Sequence, residues 1–125
     1  MRSSEILAIA ALVYAAIAPA ASSELPAQVG QCIESRVAGI TTDFPGAPGG
    51  GSVIHYENGS QQLSFDKSPE IESSQIGDPV RICLLRVAAN CPPGDERGRT
   101  YQGTNLRTGT SWTAPDTLLH DCSGA

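Results

Sequence analysis

Four cysteines are the feature of this chain that most constrains its fold. Cys32, Cys83, Cys91 and Cys122 lie in a sequence of 125 residues, and an even number of cysteines in a short exported chain is typical of two disulfides. Apolar residues make up 40% of the sequence, but many of them lie in the first 20 positions, which leaves the rest poor in core material. We therefore expect a small domain whose stability depends on its disulfides.

The cysteine spacing allows three disulfide patterns. We favour a bond between Cys83 and Cys91, which would close a short segment, together with a bond between Cys32 and Cys122, which would join the two ends of the domain. The chain-entropy model gives about 4 to 5 kcal/mol for the longer loop and about 2 to 3 kcal/mol for the shorter one. A zinc site is the rival interpretation, but the sequence has no CxxC pair. We expect neither a metal nor a cofactor.

The N-terminus has the pattern of a secretory signal. An unbroken apolar run over residues 6–18 follows Arg2; it is too short to span a bilayer core of about 30 Å and matches the central region of a signal peptide. The small residues of Ala18-Pro19-Ala20 fit a cleavage site. A retained membrane anchor is the alternative, but no cluster of flanking charges supports it.

These features predict how the chain is divided. We expect a signal peptide over residues 1–20, a flexible segment over 21–28 and a single β domain over 29–125. The mature protein would be periplasmic or secreted, with no membrane insertion after cleavage of the signal.

Turn-forming residues divide the mature chain into short stretches with the alternation and the β-branched residues of strands. The clearest strands are 29–37, the two arms of a hairpin around Asn58-Gly59, 80–87, and the arms 100–106 and 110–113 of a second hairpin in which Gly109 takes the left-handed conformation. About six such strands predict an all-β fold, a small antiparallel barrel or sandwich stabilised by disulfides.

Two strands allow a more detailed prediction. Asn58-Gly59 favours a two-residue type I′ turn, which would place Ile54 opposite Leu63 and bury Ile54, Tyr56, Leu63 and Phe65 on one face. In the strand 80–87, alternation directs three apolar side chains to one face, and its near-continuous hydrophobicity indicates a central strand covered on both sides. These three are Val80, Ile82 and Leu84.

The charge excludes two classes of partner. The formal net charge is -5 and the isoelectric point is near 4.8. A sequence-independent nucleic-acid binder, or a protein that binds an anionic membrane surface, needs the opposite sign. We expect a cationic protein or an envelope glycan as the partner.

The loop over residues 91–99 carries the most suggestive polar side chains. Two prolines and the Cys91 disulfide would hold it rigid, as in a recognition loop; alternatively, Asp95 caps backbone amides and an arginine pairs with an acid. Tyr101 and Trp112 fall on facing arms of the second hairpin and would form a binding platform if exposed, although core positions are commoner for aromatic residues. The candidate binding residues are Asp95, Arg97, Arg99, Tyr101 and Trp112.

The sequence by itself assigns no activity. It has no G-x-S-x-G nucleophile elbow, and a short chain leaves little wall for a substrate cleft. We therefore expect a non-enzymatic binding domain with no catalytic residues. The alternatives are a small periplasmic hydrolase that acts on cell-envelope material through acids such as Glu57, Asp95 or Asp116, and a structural protein of the envelope.

Three segments of the chain carry a specific combination of motifs. They are GDPVRICL from Gly77, CPPGDERGRTY from Cys91, and TNLRTGTSW from Thr104 with Pro115-Asp116 and Cys122 after it. Together they resemble a group of small exported bacterial proteins of uncharacterised function, over residues 52–125, and this resemblance implies an exported disulfide domain without an activity. The expected architecture is similar to that of the periplasmic inhibitors of c-type lysozyme, but their Ser-Gly-x-x-Tyr motif is absent.

Overall fold

The computed structural model describes residues 25–42, 50–117 and Cys122. The predicted signal peptide, and the first part of the segment predicted to be flexible, lie outside these residues. The remainder of that segment packs on the domain, since Leu25 contacts the hydrophobic core and Pro26 is buried. None of the described residues belongs to a helix with the length and hydrophobicity needed to cross a bilayer.

Within the described residues the fold is a single curled sheet of six antiparallel strands in the order β3-β2-β1-β4-β5-β6. One short helix, α1, follows β3. The elements are β1 Cys32–Thr42, β2 Ser52–Tyr56, β3 Gln61–Ser64, α1 Pro69–Glu72, β4 Pro79–Arg86, β5 Thr100–Asn105 and β6 Ser111–Pro115. The sheet curls into a half-barrel, which confirms the predicted all-β antiparallel class.

The strand β1 joins the two halves of the sheet. Its first part, from Cys32 to Arg36, pairs with β4, and its second part, from Val37 to Thr42, pairs with β2. The register shifts between Val37 and Gly39, and a bulge of this kind bends a strand and changes which side chains face the core. The predicted strand over 29–37 missed the second part because the alternation of the sequence breaks at this bulge.

The register predicted for the first hairpin is wrong by one residue. Ile54 lies opposite Gln62 instead of Leu63, because the turn is longer than a two-residue type I′ turn. The amide of Tyr56 donates to the carbonyl of Ser60 (2.9 Å), and the amide of Gly59 donates back to the carbonyl of Tyr56 (3.0 Å). Gly59 has a φ of 91°, as in a three-residue loop that ends in a G1 bulge.

This shift changes which residues of the hairpin are buried in the main core. Ile54 and Tyr56 are buried there as predicted, but their neighbour on β3 is a glutamine, Gln62. Leu63 instead packs with Val53 in a separate cluster. Phe65, predicted to be buried, is 60% exposed.

The central strand β4 supplies the middle of the core. The three side chains predicted to share a face, Val80, Ile82 and Leu84, are fully buried. Leu85 and Val87 are each 44% exposed, so the strand is covered on one face and not on both. The other buried core residues are Val37, Ile54, Tyr56, Ile71, Tyr101 and Trp112.

A buried glutamine connects the two edges of the sheet. The Nε2 of Gln62 donates to the backbone oxygens of Tyr101 and Ala114, both at 3.0 Å. Its Oε1 accepts from the Tyr56 hydroxyl (2.6 Å) and from the Trp112 indole (3.0 Å). One side chain therefore uses both of its donors and both acceptor positions, and it ties the edge strand β3 to β5 and β6.

The second hairpin is close to its prediction. β5 and β6 pair between Thr100↔Pro115 and Thr104↔Ser111, and Gly109 has the predicted positive φ of 81°. A carboxylate before β4 holds the turn in place: Asp78 accepts two bonds from the Arg107 guanidinium (2.6 and 3.0 Å) and one from the Asn105 amide (2.9 Å). The Asp78 side chain is only 6% exposed, so this contact is part of the fold.

Both predicted disulfide pairings are wrong. The bonds join Cys32 to Cys83 and Cys91 to Cys122. Cys32 and Cys83 lie directly opposite each other on the paired strands β1 and β4, with Cα atoms 4.0 Å apart. Cys83 lies inside β4, which continues to Arg86 and carries the chain away from it, so Cys91 meets Cys122 instead.

Candidate functional site

The five candidate binding residues do not form one exposed surface. Trp112 is 6% exposed and Tyr101 is 2% exposed, because both point from their strands into the core. The aromatic platform considered from the sequence is therefore absent, and the core placement of both residues is confirmed. The polar candidates divide into a pair in the loop, formed by the half-buried Asp95 and the exposed Arg97, and Arg99 beside Tyr101.

The pair formed by Asp95 and Arg97 stabilises its own loop. The guanidinium of Arg97 donates to both carboxylate oxygens of Asp95, at distances from 2.8 to 3.1 Å. The backbone amide of Arg97 also donates to Asp95 (3.1 Å), and the amide of Asp95 donates to the carbonyl of Pro92 (3.0 Å). The hydrogen bonds from Arg97 hold the pKa of Asp95 below its usual range. These contacts agree with the second interpretation of the loop from the sequence, in which Asp95 caps backbone amides and an arginine pairs with an acid.

A half-open cleft at one end of the sheet is the candidate site. Its volume is about 670 Å³, within the range of small-ligand sites. Five parts of the chain form its walls: the segment before β1, the turn between β2 and β3 with the first residue of β3, the loop before β5, β5 itself, and the residue after β6. The lining residues are Leu25, Ala27, Gly59, Ser60, Gln61, Glu96, Arg99, Tyr101 and Asp116.

The cleft is lined by two acidic residues, Glu96 and Asp116, and one basic residue, Arg99. Arg99 Nη1 lies 3.7 Å from Glu96 Oε1, and the Arg99 side chain is 20% exposed while that of Glu96 is 71% exposed. Burial, together with the nearby charge of Asp116, raises the pKa of the Tyr101 hydroxyl. The formal charge of the cleft is therefore negative by one unit when Glu96 and Asp116 are both ionised.

Asp116 lines the cleft and carries a carboxylate oxygen that is buried. Its Oδ1 is buried and has no hydrogen-bond partner in the part of the chain that the structure describes. Desolvation raises the pKa of this carboxyl. A hydrogen bond from the Asp116 backbone amide and the charge of Arg99 oppose the effect, and the charge of Glu96 adds to it. Buried polar atoms are normally paired, so an unpaired carboxylate oxygen beside a cleft is a position that a donor from outside can satisfy.

A second group of possible ligand atoms belongs to residues that do not line the cleft. The sulfurs of Cys91 and Cys122 and a carboxylate oxygen of Asp95 all lie within 4.8 Å of one another. Cysteine coordinates a metal as a thiolate, whereas these two sulfurs are joined in a disulfide and Asp95 is bound to Arg97. In its oxidised form this cluster offers no thiolate ligands.

The sequence predicted only some of the residues that line this cleft. Arg99 and Tyr101 were chosen from the loop pattern, and Asp116 was considered as a possible hydrolase acid. Glu96, Ser60 and Gln61 were missed. Ser60 and Gln61 lie where the chain enters β3, at the opposite edge of the sheet from β6, and they approach the cleft only because the sheet curls. Of the other acids considered for a hydrolase, Glu57 is exposed at a turn and Asp95 is held by Arg97.

Comparison of the chain with protein-family models, with curated proteins and with solved structures gives no match. The likeness to small exported proteins therefore stays a prediction from the sequence, and function is inferred from the cleft alone.

Proposed function

We propose that this protein is an exported, non-enzymatic binding domain that accepts a cationic side chain of a partner protein in the cleft beside Asp116. One observation carries the proposal: a buried carboxylate oxygen of Asp116 lacks a hydrogen-bond partner among the described residues and lines a cleft of about 670 Å³. An ammonium or guanidinium group supplies the N–H donors and the positive charge that such an oxygen favours.

The charge of the whole chain supports the same class of partner. The formal net charge of -5 gives a field that attracts a basic protein and raises its association rate. Glu96 adds a second carboxylate at the exposed rim of the cleft, where it can assist the approach of a cation. An envelope glycan, the other partner considered, offers no positive charge to match these acids.

Export is part of the proposal. Two disulfides among the described residues fit an oxidising environment such as the periplasm or the extracellular space. The predicted signal peptide over residues 1–20 supplies the route. Edman sequencing or mass spectrometry of the protein recovered from the periplasm and the medium tests this point, and an uncleaved chain in the cytoplasm would contradict it.

Binding is tested by NMR titration of the mature protein with the N-acetyl amides of lysine and arginine, using the norleucine analogue as a neutral control. We expect the cationic probes, and not the neutral one, to shift the backbone amides of Ser60, Gln61 and Asp116. Asp116→Asn should abolish these shifts, whereas Asp66→Asn, which changes an exposed acid outside the cleft, should preserve them. Equal losses in both variants would leave only a general charge effect and overturn the proposed site.

Hydrolysis is the second candidate function. Glu96 and Asp116 line one cleft, and the raised pKa of Asp116 is the property of a general acid. Incubation of the purified protein with peptidoglycan and with ester substrates tests it. Turnover that Asp116→Asn and Glu96→Gln each abolish would replace the binding proposal, and no turnover is the result we expect.

A further inference from the structure

We propose that the cleft recognises the C-terminal residue of the partner protein, a lysine or arginine whose side-chain cation meets Asp116 and whose free α-carboxylate meets Arg99. The inference rests on the proposed function, because it adds a second contact to the same cleft. It narrows the ligand from any basic side chain to a basic residue at the end of a chain.

The strand register brings Arg99 and Asp116 to the same end of the sheet. They flank the pair Thr100↔Pro115 of the β5–β6 ladder, and side chains alternate between the two faces of a strand. One residue beyond this pair, the alternation therefore returns each side chain to the inward face, on which Tyr101 is buried. Both residues line the cleft, so one cleft contains a positive and a negative group.

These two groups do not neutralise each other. In the part of the chain that the structure describes, no ion pair joins Arg99 to Asp116, and the buried Oδ1 of Asp116 accepts no hydrogen bond. The Nη1 of Arg99 lies 3.7 Å from Oε1 of Glu96, which is longer than a hydrogen bond, and the guanidinium also lies beside the Tyr101 hydroxyl. A guanidinium has five N–H donors, so these contacts leave donors of Arg99 for a ligand.

A carboxylate is the group that best suits the guanidinium of Arg99. The planar guanidinium binds a carboxylate through two parallel N–H···O bonds. Glu96 does not make this contact, and its side chain is 71% exposed, so the ion pair between them contributes little. A carboxylate of the ligand can therefore replace Glu96 as the partner of Arg99.

A single basic residue offers both charges when it is the last residue of a chain. An internal lysine or arginine presents its side-chain cation, but a neutral peptide group takes the place of the carboxylate. In a C-terminal residue the aliphatic part of the side chain separates the two charges. Leu25 and Ala27 also line the cleft and supply apolar surface on which this part of the side chain can pack.

The net charge of the protein makes a preference for a free carboxylate informative. A formal charge of -5 repels an anionic group, so a ligand that gains a carboxylate should bind more weakly unless a local positive group receives it. Tighter binding of the free acid than of the amide would therefore report a direct contact and not the overall field.

The experiment is an NMR titration of the mature protein with N-acetyl-lysine, compared with the N-acetyl-lysine amide. We expect the wild type to bind the free acid at least about fivefold more tightly than the amide. Arg99→Gln should remove this preference, and Arg99→Lys, which keeps the charge but not the two-point contact, should retain only part of it. Arg81→Gln is the control, since Arg81 is exposed on β4 and does not line the cleft, and it should keep the full preference.

The outcomes separate this inference from the proposed function. Equal affinities for the acid and the amide in the wild type, or a full preference in Arg99→Gln, overturn the inference and leave the proposed function standing. Failure of both ligands to bind overturns both. N-acetyl-norleucine, which has the carboxylate without the cation, should bind weakly, and affinity equal to that of N-acetyl-lysine would also overturn both. The wild-type comparison decides the question even if Arg99→Gln does not fold.

Two further ligands test whether the carboxylate comes from a chain end. Free lysine carries an α-ammonium group that Arg99 repels, so it should bind more weakly than N-acetyl-lysine. The amidated dipeptide N-acetyl-Lys-Glu places the carboxylate on a neighbouring side chain and should also bind more weakly. Tighter binding of either ligand than of N-acetyl-lysine would overturn the assignment to a C-terminal residue.

Discussion

Gly103 lies directly opposite Trp112 across the β5–β6 pair, and the indole covers the glycine so closely that residue 103 has no room for a side chain. A β-carbon there would lie 2.5 Å from Cε2 of Trp112 and 2.8 Å from Oε1 of Gln62. The glycine is therefore required by close packing and not by its backbone conformation. The same contact holds the indole N–H against the amide that connects the sheet edges.

Gly103→Ala should destabilise the fold by about 3 kcal/mol, at the upper end of the cost of overpacking a core. The indole has to move, and its hydrogen bond to Gln62 is weakened with it. The free energy of unfolding from urea denaturation measures this effect. Gly39→Ala is the control, since a β-carbon at Gly39 meets no atom within 4 Å, and a similar loss in both variants would contradict the packing explanation.

Gln62→Met should cost about 3 kcal/mol, because it leaves the buried Tyr56 hydroxyl and the Trp112 indole N–H without their acceptor. A double-mutant cycle with Tyr56→Phe isolates the shared hydrogen bond. In the Gln62→Met background the tyrosine substitution should cost less than in the wild type, by about 1 kcal/mol or more. Additive losses would show that the two side chains contribute independently.

Acid should weaken the fold through Asp78. Hydrogen bonds from Arg107, and then from Asn105, lower the pKa of Asp78 from its ordinary value of 3.8. A carboxyl with a lowered pKa in the folded state stabilises the protein above 3.8, and this contribution is lost as the pH falls below that value. Thermal unfolding between pH 7 and pH 2 should therefore show a smaller dependence on acid in Asp78→Asn than in Asp66→Asn.

Arg99 and Arg97 should differ in their effect on ligand affinity. Arg99 lines the cleft beside the two acids, whereas Arg97 is bound to Asp95 outside the lining. Arg99→Gln removes a positive charge that competes with a cationic ligand, so we expect affinity for the lysine amide to rise several-fold. Arg97→Gln should leave it unchanged. A loss of affinity in Arg99→Gln would instead indicate that the cleft binds an anionic group.

Cation binding should fail at a higher pH than the ordinary pKa of an aspartate would predict. Burial raises the pKa of Asp116 above 3.8, so the carboxyl takes up its proton, and loses the charge that attracts a cation, while the pH is still above that value. Titrations repeated from pH 7 down to pH 4 measure the midpoint. Asp66→Asn, which leaves the cleft unchanged, should show the same midpoint as the wild type. Affinity that stays constant down to pH 4 would exclude Asp116 as the group that controls binding.

The parts of the fold that depend on local sequence could be predicted. The alternation of Val80, Ile82 and Leu84 correctly gave the buried face of β4, and Gly109 correctly marked the turn of the second hairpin. The register of the first hairpin could not be predicted, because Asn58-Gly59 suits both a two-residue turn and a longer loop. Gln62 is the residue whose burial distinguishes them, and its partners on β5 and β6 are distant in sequence.

The candidate site could be predicted only in part, because it too depends on contacts between residues that are distant in sequence. Arg99 and Tyr101 stood out around the start of the second hairpin, and the pair Thr100↔Pro115 brings Asp116 to the same end of the sheet. Ser60 and Gln61 approach the cleft only because the sheet curls. The sequence alone does not distinguish among the three disulfide patterns that four cysteines allow. The correct one depends on Cys32 and Cys83 being in register across β1 and β4.

The division of β1 between two partners has a consequence for how the protein denatures. Its first part completes the ladder with β4 and its second part completes the ladder with β2, so neither half of the sheet has a complete set of strands without it. Detaching β1 from one partner removes support from the other as well. The domain should consequently melt as one cooperative unit, with backbone and aromatic signals changing at the same temperature.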